Sequence, residues 1–133
     1  MKKGANMEKD IIPEMGCSIH INNCDSFSKV IDELERIGVN DFHIIKPMYF
    51  QETICEFSLT KTKTWYLDEL LSMMFLKVQD IFEQLISIIK RYKCQVVIDI
   101  WFYHEDSYPA LTICRENIKK IYDMNAEISI DIN

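Results

Sequence analysis

The chain has 133 residues, a formal charge of −6, 48% hydrophobic and 27% charged residues, and only three glycines and three prolines. That balance fits one globular domain built mainly of regular elements, and excludes a disordered, fibrous or low-complexity chain. Counterion release by clustered Lys and Arg drives binding to a phosphate backbone, so an acidic chain of this kind is not expected to bind nucleic acid. The longest basic run, Lys90-Arg91-Tyr92-Lys93, fits the cationic last turn of a helix.

Residues 1–13 are expected to form a loose leader ending at Pro13, followed by a single domain over 14–133. The opening "MKKGANMEKD" is charged and then polar, without the apolar core of a secretory signal. "CSIHIN" alternates, placing Cys17, Ile19 and Ile21 on one side of a strand and His20 on the other. "CDSFSKVIDELERIG" predicts a helix with Asp25 or Ser26 at its N-cap, Val30, Ile31, Leu34 and Ile37 on one face, and Gly38 as a left-handed stop. His43 to Lys46 could extend briefly, and Pro47 blocks a continuing central strand. "TICEFSLT" alternates again, with Cys55, Phe57 and Leu59 on one side and Glu56 and Ser58 on the other.

Apolar residues from Asp68 to Tyr92 recur at spacings of three and four, which predicts one long helix. Its first two turns are apolar nearly all round, so they are either buried deeply or form an interface. "CQVVIDIWFY" is the strongest strand signal, and "ALTI" predicts its hairpin partner across the loop "HEDSYP", with Pro109 opening that strand. "CRENIKKIYDMNA" predicts a helix with Ile118, Ile121 and Tyr122 inward. "EISIDIN" closes with a strand whose Ile128, Ile130 and Ile132 face the core. The resulting class is α+β: a two-layer sandwich of a mixed β-sheet with three helices packed mainly on one face, arranged as ferredoxin-like half-motifs.

Catalytic and metal chemistry find little support. His104, Glu105 and Asp106 are consecutive, so their side chains diverge around a turn instead of converging on an ion. The five cysteines show no CxxC spacing and read as reduced, mostly buried thiols of a cytoplasmic protein. A Cys–His nucleophile would require two such residues to meet in the fold, and no motif surrounds any cysteine. With glycines at 4, 16 and 38 alone, no phosphate-cradling loop can be written. No segment reaches the ~20 apolar residues of a membrane span. No catalytic residue, metal ligand or cofactor is assigned.

Strand parity carries the sharper expectation. If Ile98, Ile100 and Phe102 face the helices, then Asp99, Trp101 and Tyr103 lie on the opposite sheet face. The same parity adds Tyr108 and Thr112, then Glu127, Ser129 and Asp131, and His20 from the first strand. That face is either covered by the leader, by the Pro47 segment or by a second copy, or it presents aromatic anchors with an acidic rim to a protein partner. Trp101, Tyr103, Asp99, Tyr108, Asp131 and His20 are its candidate partner-binding residues. A basic partner fits the charge, and an immunity- or antitoxin-like neutraliser of a basic toxin is one concrete form. Self-association through this face or through the apolar Leu70–Leu76 surface is a further reading. The alternative from another class is a small-molecule sensor or minor enzyme with a pocket between sheet and helices.

The run "PALTICRENIKKIYDMNAEISIDI" is similar to the ending of a bacterial family catalogued as domain of unknown function forty-two seventy-nine. There a Pro-led strand, a short helix and a strand with a hydrophobic–Asp–hydrophobic end close the domain. Pro47 after the first helix, Trp65 before the long helix and the strand around "SIHIN" also match, so the resemblance spans most of residues 17–132. The family often shows a glycine between the Pro47 and Trp65 positions, and this chain has none. The resemblance implies a single compact α+β unit and transfers no catalytic residue.

Overall fold

The computed structural model describes residues 11–46, 53–103 and 108–133. Five strands form one sheet: β1 (Glu14–Asn22), β2 (His43–Ile45), β3 (Ile54–Lys63), β4 (Gln95–Phe102) and β5 (Ala126–Ile132), in the order β2-β3-β1-β4-β5. β1 is central and antiparallel to both β3 and β4, while β4 and β5 run parallel. The helices are α1 (Phe27–Arg36), α2 (Leu67–Lys77), α3 (Phe82–Arg91) and α4 (Arg115–Asp123), with a 3-10 turn at Gln79–Ile81. This is the α+β, mixed-sheet sandwich expected. Among the described residues the parallel strand–helix–strand unit occurs once, as β4–α4–β5, because β1 and β3 pair antiparallel as neighbours.

One sheet face carries the core. Met15, Cys17, Ile19 and Ile21 of β1 alternate inward beside Val96, Ile98, Ile100 and Phe102 of β4, and all eight are buried. The stripe Leu67, Leu70, Leu71, Met74 and Phe75 of α2 seals them, bringing the Cys17 Sγ 3.5 Å from the Met74 Sδ. Gly38 ends α1 with φ 102, as its position after Ile37 predicts; a side chain there would be strained.

Four α-helices, not three, are present among the described residues, because the stretch read as one helix over 68–92 breaks after Lys77. Val78 and Ile81 leave helical geometry, with ψ near 8 at both. Val78 N–H bonds back to Phe75 and Ile81 N–H to Val78, the shorter 3-10 pattern. The apolar spacing continues across the break, so periodicity alone could not reveal it.

"ALTI" is not a hairpin strand. β4 already has β1 and β5 on its two sides. Ala110 instead makes a single parallel bridge to Tyr66, receiving Leu67 N–H and giving its own N–H to Trp65. The chain from 110 to 114 thereby docks on the start of α2. There the Asp68 carboxylate accepts Cys114 N–H at 2.9 Å and Asn117 Nδ2 at 2.8 Å, tying α2 to the first turn of α4.

That tie rotates α4. Asn117 and Ile121 are its buried residues, with Met124 buried just past its end, whereas Ile118 and Tyr122, expected inward, are exposed, Tyr122 by 80%. The backbone and Asn117 bonds hold the Asp68 carboxyl below its ordinary range, despite some desolvation. A lowered carboxyl stabilises fully above its unfolded-state value, and the effect disappears as pH falls through the folded value. Asp68→Asn exchanges charge-assisted bonds for neutral ones and is expected to cost about 1 kcal/mol at neutral pH. Chemical denaturation should show the difference shrinking in acid; a pH-independent difference would contradict the charge-assisted account.

Two further parities differ from expectation. Ser58 adopts φ 58 and forms a bulge, so Leu59 leaves the core side while Ser58 turns in, donating its hydroxyl to the Met74 carbonyl. Ile128, Ile130 and Ile132 do lie beside Ile98, Ile100 and Phe102, yet remain 38%, 39% and 55% exposed because β5 is an edge strand. Pro47 and residues 1–10 lie outside the described residues. Pro13, at the end of the expected leader, is buried, and its carbonyl accepts Thr64 N–H.

Candidate functional site: the outer sheet face

The face turned away from the helices is built by the same alternation. On β4, Val97, Asp99 and Trp101 are half-buried between fully buried neighbours, and Tyr103 follows, 45% exposed. β1 contributes Gly16, Ser18 and His20, β3 contributes Glu56 and Lys61, and β5 contributes Glu127, Ser129 and Asp131. Cross-strand pairing arranges these in rows: Glu56, His20, Val97 and Glu127; then Ser18, Asp99 and Ser129; then Lys61, Gly16, Trp101 and Asp131.

The indole of Trp101 sits against Gly16. A Cβ at that glycine would sit 2.1 Å from the ring, so the absence of a side chain is what seats the indole. Tyr103 meets Trp101 edge-on, with centroids 5.8 Å apart and planes at 62°. Lys61 places its Nζ 5.7 Å from the indole centroid. Beside this pair, His20 Nε2 and Glu56 Oε2 are 2.9 Å apart, and the buried Ser18 hydroxyl donates to the same oxygen at 3.1 Å.

Burial pushes the Asp99 carboxyl above the ordinary carboxylate range. The neighbouring His20 opposes that rise, while the hydrogen bond and like charge of Asp131, and then Glu56, reinforce it. A raised carboxyl binds its proton more tightly in the folded chain. Stability therefore falls as pH rises from the ordinary carboxylate value through the folded one, and the whole cost is present above that. Asp99→Asn should be more stable than the parent at neutral pH by about 0.2–1 kcal/mol, the scale of cross-strand charge pairs. In thermal melts the advantage should vanish in acid; greater stability of the parent at neutral pH would refute the assignment.

Of the six candidate residues, His20, Asp99, Trp101, Tyr103 and Asp131 share this face. Tyr108 does not. Its ring packs on Phe102 at 6.0 Å, and Phe102 points to the helical side. Since 108–114 is not a strand, strand parity could not place Tyr108 or Thr112. Glu56 was accessible to parity, sitting between the inward Cys55 and Phe57. Lys61 was not, because uninterrupted alternation from Phe57 sends it inward and only the bulge at Ser58 reverses it.

His104, Glu105 and Asp106 lie outside the described residues. Among the described residues, no group of three or more His, Cys, Asp or Glu converges to hold a metal, and no helix is long and apolar enough to cross a membrane. Burial pushes the Cys17 and Cys55 thiols up to about 12. Cys24 and Cys94 share a hydrogen bond that lowers the first and raises the second. A cleft of 430 Å³ lined by Tyr66, Asp68, Glu69, Ala110, Thr112 and Cys114 is large enough for a small ligand. Its Asp68 carboxylate is already committed to Cys114 and Asn117.

Fold and face together define a small α+β sandwich with one sheet face sealed by helices and the other bearing aromatics and acids. The chain belongs to the family described as Domain of unknown function (DUF4279), whose model matches residues 56–133. The match runs from within β3 to the end of β5, so it includes Trp101, Tyr103, Asp99 and Asp131, while β1 with His20 and Gly16 precedes it. No curated protein and no solved structure matches the chain.

Proposed function

We propose that the chain is a non-enzymatic protein-binding module of the bacterial cytoplasm that engages a cationic protein partner through the outer sheet face. The observation that carries this reading is the Trp101–Tyr103 pair, partly exposed, with Asp131 opposite Trp101, Asp99 two positions before it, and Glu127 farther along the same face opposite Val97. Aromatic anchors beside a charged rim are the composition of binding hot spots. The carboxylates speed and orient a basic partner, in keeping with the formal charge of −6. Neutralising a basic toxin, as immunity proteins and antitoxins do, is the form of this activity that the charge suits.

A photo-crosslinking amino acid installed in cells at Tyr103, with one at Tyr122 on the helical layer as control, tests the reading. A basic protein should be captured from position 103 alone, and Glu127→Lys with Asp131→Lys should abolish the adduct. Equal capture from both positions, or an adduct that survives the charge reversals, would overturn it.

A further inference from the structure

The two edges of the sheet are treated differently. The β2 edge is three residues long, too short to template another strand. The β5 edge is seven residues, regular along its whole register with β4, and free of proline, lysine or a bulge. It also exposes Ile128, Ile130 and Ile132 in a row. Soluble proteins normally blunt such an edge, because unpaired peptide groups beside exposed β-branched side chains recruit another strand.

The register identifies the recruit. Asn133 N–H bonds to the Phe102 carbonyl, so in this parallel ladder the odd-numbered residues of β5 turn their peptide groups toward β4. Those of Ile128, Ile130 and Ile132 therefore point outward. Consider an antiparallel copy of the same strand centred on Ile130. Ile130 meets its own counterpart and Ile128 meets Ile132, all as hydrogen-bonded pairs, which builds a ladder of isoleucines on the helical side. On the outer side Ser129 meets Asp131 and Glu127 meets Asn133, so no carboxylate lies directly opposite another. Neighbouring registers are worse: centring on Ser129 sets Glu127 against Asp131 twice, and centring on Asp131 sets that residue against itself. Shifting toward Ile128 shortens the pairing.

We propose that two copies of this chain associate about a two-fold axis through Ile130, joining their sheets edge to edge through β5. The contact is isologous and closes on itself, so it ends at a dimer instead of a fibre. Both outer faces then lie on one continuous sheet, which offers a partner two copies of the Trp101 site. The pairing itself uses none of the Trp101, Tyr103 or His20 side chains and stands whether or not that face binds a protein.

Analytical ultracentrifugation of the full chain should show the mass of two chains, falling to that of one in Ile130→Lys. Ile132→Lys, at a more exposed position, should have the same effect should the first variant fail to fold. Register is read separately: Ile130→Cys should form an intermolecular disulfide on mild oxidation, since hydrogen-bonded antiparallel partners stand about 5.5 Å apart at Cα. Ser129→Cys, set against Asp131 of the other copy, should not. A monomeric parent at high concentration, a dimer that persists in folded Ile130→Lys or Ile132→Lys, or cross-linking through Ser129→Cys in preference to Ile130→Cys would each overturn the proposal.

Discussion

Truncating Phe57 to alanine is expected to lower stability by about 3–5 kcal/mol, the range for removing a buried aromatic ring. Phe57 is fully buried, pairs across the sheet with Ile19, and lines a 240 Å³ cleft with Val78, Ile81 and Asp41. It lies where two irregularities meet: the bulge at Ser58 and the break between α2 and α3. Each irregularity is held by bonds from the residue beside Phe57, since Ser58 N–H reaches the Asp41 carboxylate at 3.1 Å and its hydroxyl reaches the Met74 carbonyl. Polar tethers of this kind cannot close in over a missing ring, so the void should persist or admit water. Urea titration followed by circular dichroism would register a lower midpoint with an unchanged slope. A loss below about 1.5 kcal/mol, the scale of a well-tolerated core exchange, would mean that the ring is not sealed there.

The second large effect concerns the outer face. In Gly16→Ala the new methyl would meet indole carbons at 2.1 and 2.3 Å, so either the strand or Trp101 must move. The indole is the movable partner, because Gly16 is held on both sides by β3 and β4. We expect the ring to lift into solvent, leaving both the Lys61 contact and the Tyr103 edge. In a Trp65→Phe background the emission should shift to the red, with about 1–3 kcal/mol of stability lost to the overpacked site. The core packing of β1 is on the opposite face, so far-ultraviolet circular dichroism should be retained. An unshifted emission would show that the indole does not rest on this glycine. Under the proposed function the same variant should lose the cross-link from position 103.

The two substitutions probe opposite sides of one sheet, and the contrast explains what was readable from residues alone. Alternation along β1 and β4 is a local property: a side chain's face follows from its neighbours two positions away. "CSIHIN" and "CQVVIDIWFY" therefore set the inward and outward sides of the two central strands, and with them the sharing of one face by His20, Asp99 and Trp101. α1, with its Gly38 stop, was legible for the same reason. Membership of the family was legible as well, in the closing run "PALTICRENIKKIYDMNAEISIDI", although its first segment is not the strand expected there.

What tertiary structure alone decided lies where contacts between distant residues outweigh local preference. Ser58 leaves regular strand geometry with Asp41 and Met74 as its partners, and that reverses every side chain of β3 beyond it. The helical stretch breaks at Val78 while its apolar spacing continues unchanged. Ala110 bridges Tyr66 instead of returning along β4, and Asp68 turns α4 so that Asn117 is buried and Tyr122 exposed. The last strand shows the limit most plainly, since "EISIDI" alternates as a half-buried strand should. Only its place at the edge of the sheet, set by which strand it pairs with, leaves three isoleucines facing water.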